Sequence, residues 1–334
     1  MSFRSLSKLF MFALMSAFFG CTNPLTEGLN LGDPAKISEA PPPAPVSPGD
    51  GIKILVMPLK PSVEVGEPIY VAVRVTNMRQ EPVKIVGGLR PGVGLLELYS
   101  MGPKGEKRLL PPLIESDFEQ ATTLAPQETI GDVFPIFFGA NGWNFQEAGE
   151  YRITAQLNVP AKDGLSSFTS EPAVLTVQGS KAGQALFSGE GRTAMQAGKF
   201  LLWRSGDHLE AGINHLMQIS KQHPNSALSS YIFAARAQNL SEPFANYMVQ
   251  KVRAPNCEEA NALRKMVNIH VLPENLVIED YMAQAKCHAE SQGWREAQEA
   301  LDAGAKLTAE RPEFRAYAHS IAEMQERLRK YLDK

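Results

Sequence analysis

The hydrophobic periodicity of this chain changes once, and that change limits the fold more than any other feature. From residue 51 to about 178 apolar residues recur at period two. Ile52, Ile54 and Val56 open the pattern, followed by 69–75 (IYVAVRV), 82–86, 95–99, 134–138, 151–159 and 173–177. Gly, Pro and Asn punctuate these short β-rich runs, which predicts an antiparallel β-sandwich. From residue 192 onward the spacing is helical, and helices are predicted at 192–204, 207–222, 225–239, 242–252, 257–269, 274–291, 294–308 and 312–332. Pro224, Pro243, Pro255, Pro273 and Pro312 fall at the breaks, where proline interrupts a helix least. The stretch 179–191 (GSKAGQALFSGEG) reads as a linker. The expected architecture is therefore multidomain, β followed by α: a sandwich over 51–178, the linker 179–191 and an α-helical domain over 192–334. A chain of 334 residues with 44% apolar side chains is long enough for two cores.

Several motifs in the first region resemble immunoglobulin-like or fibronectin type III-like bacterial modules. Val65-Gly66-Glu67-Pro68 resembles the turn that opens a strand in such domains. Leu124-Ala125-Pro126-Gln127-Glu128 resembles their L-x-P-G-E link, with Gln127 where the family has glycine. Ala148-Gly149-Glu150-Tyr151 resembles the corner before the penultimate strand, which implies a tyrosine hydroxyl bonded back to backbone with its ring in the core. Aromatics gather around Asn141-Gly142, a dipeptide that favours a tight hairpin. Phe137, Phe138 and Trp143 there either alternate into the core or reach solvent as a partner-binding tip.

Two segments of the helical region resemble tetratricopeptide-type units. Gly206-Asp207-His208-Leu209-Glu210-Ala211 is followed by Pro224, and Gly293-Trp294-Arg295-Glu296-Ala297 by Pro312. The resemblance implies close helix crossings at Ala211 and Ala297. The two units are far apart in sequence, so an irregular helical-hairpin domain is expected rather than a regular solenoid. Such helical layers present a concave face to a peptide or partner helix, or else close into a small bundle with no groove.

The first twenty residues read as a secretory signal: Arg4 and Lys8, then the apolar run LFMFALMSAFFG. Twelve residues span about 18 Å as a helix, too short for a bilayer core of about 30 Å. Gly20-Cys21 resembles the lipobox of bacterial lipoproteins. The resemblance implies a lipidated Cys21 and an outer-membrane destination in the bacterial cell envelope, since Thr22 rather than Asp follows the cysteine. Residues 21–50, with Pro41, Pro42, Pro43, Pro45 and Pro48, read as an extended tether.

Cys257 and Cys287 then remain, available for one disulfide or left as two buried thiols. The formal charge of −3 argues against a nucleic-acid partner. His208, His215 and His223 are too far apart along one helix to share a metal ion, and no nucleophile elbow, phosphate loop or zinc motif is present. The sequence therefore points to no catalytic residue, cofactor or metal. It suggests a non-catalytic, lipid-anchored envelope protein that binds an envelope protein partner or serves as a scaffold. The alternative is a proteinase inhibitor or ligand-binding lipoprotein acting through the sandwich loops. Asn77, Pro82-Val83, Asp117-Phe118-Glu119-Gln120 and Leu124-Ala125-Pro126 resemble small bacterial proteinase inhibitors in support of it.

Overall fold

A computed structural model describes residues 51–91, 95–111, 121–161, 164–188, 191–246 and 250–332. The signal, Cys21, the tether and Asp117-Phe118-Glu119-Gln120 lie outside the described residues. The strands are β1 (Ile52–Pro58), β2 (Ser62–Glu64), β3 (Tyr70–Asn77), β4 (Val83–Val86), β5 (Leu96–Gly102), β6 (Gly105–Arg108), β7 (Ala121–Leu124), β8 (Thr129–Pro135), β9 (Phe138–Gly139), β10 (Gly142–Trp143), β11 (Gly149–Ala161), β12 (Gly164–Thr169) and β13 (Ala173–Gln178). One sheet runs β1-β3-β8. The second runs β2-β13-β11-β5-β6, with β12 also on β11, and β2–β13 is its one parallel pair among the described strands. The two sheets face each other, and β1 packs across onto β11, β12 and β13.

The motif geometries follow their sequence. Gly66 has φ +89° and Gln127 φ +63°, so Gln127 adopts the left-handed conformation that glycine takes most easily. The Tyr151 hydroxyl donates to Glu147 O at 3.0 Å, and its ring meets Phe145 edge-on at 5.0 Å. Asn77 is fully buried and ties its turn together by donating to the carbonyls of Glu81, Leu124 and Ala125.

Eight helices among the described residues follow: α1 (Lys181–Phe187), α2 (Gly191–Trp203), α3 (Glu210–Gln222), α4 (Ala227–Ser241), α5 (Cys257–Arg264), α6 (Glu274–Glu290), α7 (Trp294–Thr308) and α8 (Arg315–Leu332). Two expectations fail here. The stretch read as a linker contains α1, capped by Ser180 and docked so closely that a Cβ at Gly183 would lie 2.0 Å from Val65 O. The helix expected over 242–252 is instead a hairpin of β14 (Phe244–Asn246) and β15 (Lys251–Arg253). The reason is at the C-terminus of α4, whose last carbonyls have no partner within the helix. Arg253 donates to Asn239 O, Leu240 O and Glu242 O and pairs with Asp207 at 2.7 Å, a set of bonds that needs an extended return strand.

The sandwich and helices also share one core. The described residues form a single compact unit, and one apolar cluster runs from Ile54 and Val73 in the sheets to Leu216, Tyr231 and Leu276 in the helices. Within the sheet β1-β3-β8 the central strand β3 is covered on both sides, while Lys53 and Leu55 on the outer face of β1 are exposed. Val71, Val73 and Val75 face the second sheet, while Ala72 on the opposite face is also fully buried and Val133 packs against the cluster of Ile278, Phe314 and Ile321. On that outer face Arg74 forks onto Glu313 with two bonds of 2.9 Å, and Arg311 adds a third at 3.0 Å. Gly131 allows this approach, because a Cβ there would lie 2.8 Å from Glu313 N. Burial works to raise the Glu313 carboxyl, but Arg74 and Arg311 outweigh it and hold the group below the ordinary carboxylate range.

Three outcomes follow. Unfolding monitored separately by β-sheet and helix signals will give coincident transitions, because one apolar cluster runs through both layers. Gln127→Gly will stabilise the protein by about 1 kcal/mol in denaturant titration. Glu313→Gln will cost about 2–3 kcal/mol at neutral pH. Because the folded pKa of Glu313 is depressed, its contribution is present above the unfolded carboxylate pKa and lost as pH falls through the folded value, so the variant's acid-unfolding limb will be shallower.

Candidate functional site

A concavity lined by titratable side chains lies where α4, α6 and α8 meet. Helix α4 is buried almost all round, as expected of a central helix. Helix α6 lies beside it and presents Glu279, Met282, Ala283 and Lys286 along one face, at the i, i+3, i+4, i+7 spacing of a helical stripe. Ala316, Tyr317 and Ser320 of α8 form the opposite wall, and Gln238 and Glu242 of α4 close the cleft, which measures about 240 Å³.

Two ion pairs flank it, although Arg204 Nε and Nη1 are buried without a hydrogen-bond partner. Lys286 pairs with Glu242 at one end. At the other, Glu279 pairs with Arg204 and accepts a 2.6 Å bond from the Tyr317 hydroxyl. Burial, and then the Glu279 charge, push the Tyr317 phenol well above its ordinary pKa. Burial lifts Tyr70, beneath Arg204 on β3, to about 12. Arg204 follows α2 with φ +49° and reaches across the junction, so one guanidinium touches the sandwich and the helical layer. Arg204, Tyr70, Tyr231 and Gln238 also line a small internal cavity of about 10 Å³. Nearby, Glu67 accepts from Lys60 at 2.6 Å and from Glu64 N at 2.7 Å, yet burial still raises its carboxyl.

The wall formed by α4, α5 and α6 is held covalently. Cys257, at the start of α5, and Cys287, within α6, are joined by a disulfide with a Cα–Cα distance of 5.4 Å. Arg264 of α5 adds bonds of 2.8 Å to Asp280 of α6 and to Ser241 of α4.

The aromatic residues considered for a partner-binding tip lie in the interior. Phe137, Phe138 and Trp143 are 1%, 2% and 5% exposed. The turn centres on Ala140 and Asn141, with Gly142 just after it at φ +89°. Trp143 Nε1 donates to Ala194 O of α2 at 2.9 Å, and Gly198 of α2 leaves room for the Phe138 ring. The rings are a docking face for α2 within the protein. Of the two alanines expected at close crossings, Ala297 is fully buried while Ala211 is exposed. Gly212 makes the close approach instead, against Gln196 and Ala197 of α2. His208 stacks on Phe244, and His215 bonds Leu186 O at 3.2 Å. Sequence reasoning missed Arg204, Glu279 and Tyr317. The available signal was the α6 stripe, in which Glu279 and Lys286 flank Met282 and Ala283. Among the described residues no helix is long and apolar enough to cross a membrane, and no group of His, Cys, Asp and Glu is arranged to hold a metal ion.

No family model matches this chain. No curated protein matches it either. Among solved structures, it is similar to the sporulation control protein Spo0M from Bacillus subtilis, at 12% identity over 41% of this chain and 54% of that one, with a TM-score of 0.27. It thus spans about half of that protein's length. A CARDB domain from Pyrococcus furiosus, in complex with di-metal ions, matches at 14% identity over 38% of this chain and 86% of the domain, with a TM-score of 0.23. A β-glucosidase from Listeria innocua matches at 16% identity over 38% of this chain and 16% of the enzyme, with a TM-score of 0.22. Likenesses this slight carry no argument about what the chain does.

The disulfide has a measurable consequence. Reduction of Cys257–Cys287 releases a loop of about 30 residues and will lower stability by roughly 3–4 kcal/mol on the chain-entropy account. Thermal unfolding with and without reductant checks this.

Proposed function

We propose that this is a non-catalytic, lipid-anchored protein of the bacterial cell envelope that binds a protein partner through the cleft between α4, α6 and α8. In this reading Cys21 carries the lipid and the destination is the outer membrane. The β layers are an Ig-like sandwich, and the hairpins α2–α3 and α6–α7 are tetratricopeptide-like units that have lost regular stacking. The cleft carries the proposal. It is open, lined from three helices, and stiffened on one side by the disulfide and by Arg264. Its carboxylates are already engaged by Arg204 and Lys286, an arrangement that suits recognition better than proton transfer. The sandwich supports the helices from beneath as a rigid base. The burial of Phe137, Phe138 and Trp143 takes from the alternative, binding through sandwich loops, the aromatic tip that favoured it.

The test uses the full chain in its native envelope, with a photo-crosslinking residue at Ser320. A discrete crosslinked partner is expected, and Ala316→Leu, which narrows the cleft from an exposed position, will abolish it. The same crosslinks in the narrowed variant would refute the cleft as the partner surface. Labelled palmitate entering the wild type but not Cys21→Ala checks the anchor.

A further inference from the structure

Strand β12 lies at an edge of the second sheet, with half of its backbone groups unspent among the described residues. It pairs with β11 from Gln156↔Thr169 to Ala161↔Gly164. In an antiparallel ladder a residue turns its N–H and C=O to the same side, and successive residues turn to opposite sides. Ser170 N donates to Ala155 O at 2.8 Å on the β12 side of β11, and Asn158 N donates to Leu95 O at 2.9 Å on the β5 side. Leu157 and Val159 therefore bond Phe168 and Ser166, which face them. Pro160 has no N–H to give and stands opposite Leu165, where the ladder asks for none. The peptide groups of Leu165, Ser167 and Thr169 consequently point away from β11, and no backbone partner meets them among the described residues.

An open edge is a template for another strand, and proteins ordinarily guard it with charge, proline or a covering segment. The other edges of the two facing sheets are guarded in this way. β1 carries Lys53 and Pro58, β2 has three residues and ends on Glu64, and β6 reads GEKR. β8 carries Asp132 and is overlaid by Pro312–Phe314. β12 reads GLSSFT, with neither charge nor proline, and its Leu165 is exposed.

The open groups also fit a copy of themselves. Leu165 and Thr169 lie evenly on either side of Ser167. A two-fold axis there sets Ser167 opposite the partner's Ser167 and Leu165 opposite the partner's Thr169. Each of these is a hydrogen-bonded pair that exchanges two bonds, so every outward N–H and C=O of the three residues is met. The faces also agree, since Leu165, Ser167 and Thr169 share the face opposite the buried Phe168 in both copies. No like charges meet within the paired strands. A foreign strand would need the same uncharged length of outward-bonding backbone, which a second copy brings by construction.

We propose that β12 pairs antiparallel with β12 of a second copy about a two-fold axis at Ser167, joining the two second sheets into one continuous sheet. The pairing uses no residue of the cleft.

Sedimentation equilibrium of the full chain in density-matched detergent micelles will show a monomer–dimer equilibrium. Its dissociation constant will change less than about twofold between low and high salt. Ser167→Pro removes an outward N–H and leaves the bonds to β11 in place, so it will weaken the dimer by about tenfold or more. Leu165→Lys, which sets a charge on the edge, will do the same, and Lys107→Ala on β6 will change nothing. Unaltered thermal unfolding of the dilute, monomeric variants separates loss of pairing from loss of fold. The register has its own readout. On mild oxidation in the native envelope Ser167→Cys will form a disulfide between copies. Leu165→Cys, about 13 Å from its counterpart along the paired strands, will not. The mass of a single copy at every concentration, a dimer that persists in Ser167→Pro, or equal crosslinking at both cysteines overturns the proposal. Ser167→Cys crosslinked to a different protein gives the edge to a foreign strand and overturns the self-pairing.

Discussion

Strand β3 is packed against on both faces and fully buried over its first four residues, and the rest of the molecule is arranged around that fact. A strand covered by a second sheet on one side and by helices on the other removes more apolar surface from water than a half-exposed strand, at about 25 cal/mol per Å². It also commits its polar groups to partners inside the protein. Arg74 is the one charge in that strand, and Glu313 meets it with both carboxylate oxygens. The cost of desolvating Glu313 is met by three charge-assisted bonds. The connection between α7 and α8 is thereby fixed against the sheet.

This explains which parts of the architecture were legible. Alternation showed the half-buried strands: β11 reads apolar and polar in turn, with its apolar residues facing inward. Gln127, Gly66 and Tyr151 announced their conformations because each motif satisfies itself within a few residues. The continuous apolar run 69–73 within that segment was also a signal, since strands buried on both faces lose their alternation. Read that way, it calls for a third layer, and the helices are the only segment left to supply it. The two domains expected from the change in period are one body for this reason.

The remaining misses have the same cause. Residues 181–185 carry small and polar side chains that look like a linker, yet the glycine at 183 is what lets α1 lie against the backbone at Val65, and Leu186 is fully buried. The segment 244–253 has no strong local preference, and the open carbonyls ending α4 decide its form through Arg253. Phe137, Phe138 and Trp143 were ambiguous in sequence because an aromatic pointing away from its own sheet can face solvent or another layer. Here α2 is that layer. Arg204, Glu279 and Tyr317 stand far apart in the chain, so no spacing rule could bring them together.

Glycines at 131, 183 and 198 lie where backbone or ring from a neighbouring layer occupies the space a methyl group would need. The separation between layers at those points is set by a hydrogen atom. At 131 and 183 no side-chain rotation makes room for a larger residue, because the obstacles are the backbone atoms Glu313 N and Val65 O; at 198 the obstacle is the buried Phe138 ring. Sequence drift over this protein's history should therefore be slowest at these three positions, and a duplicated copy that lost them would have to come apart into layers before it could acquire a different shape.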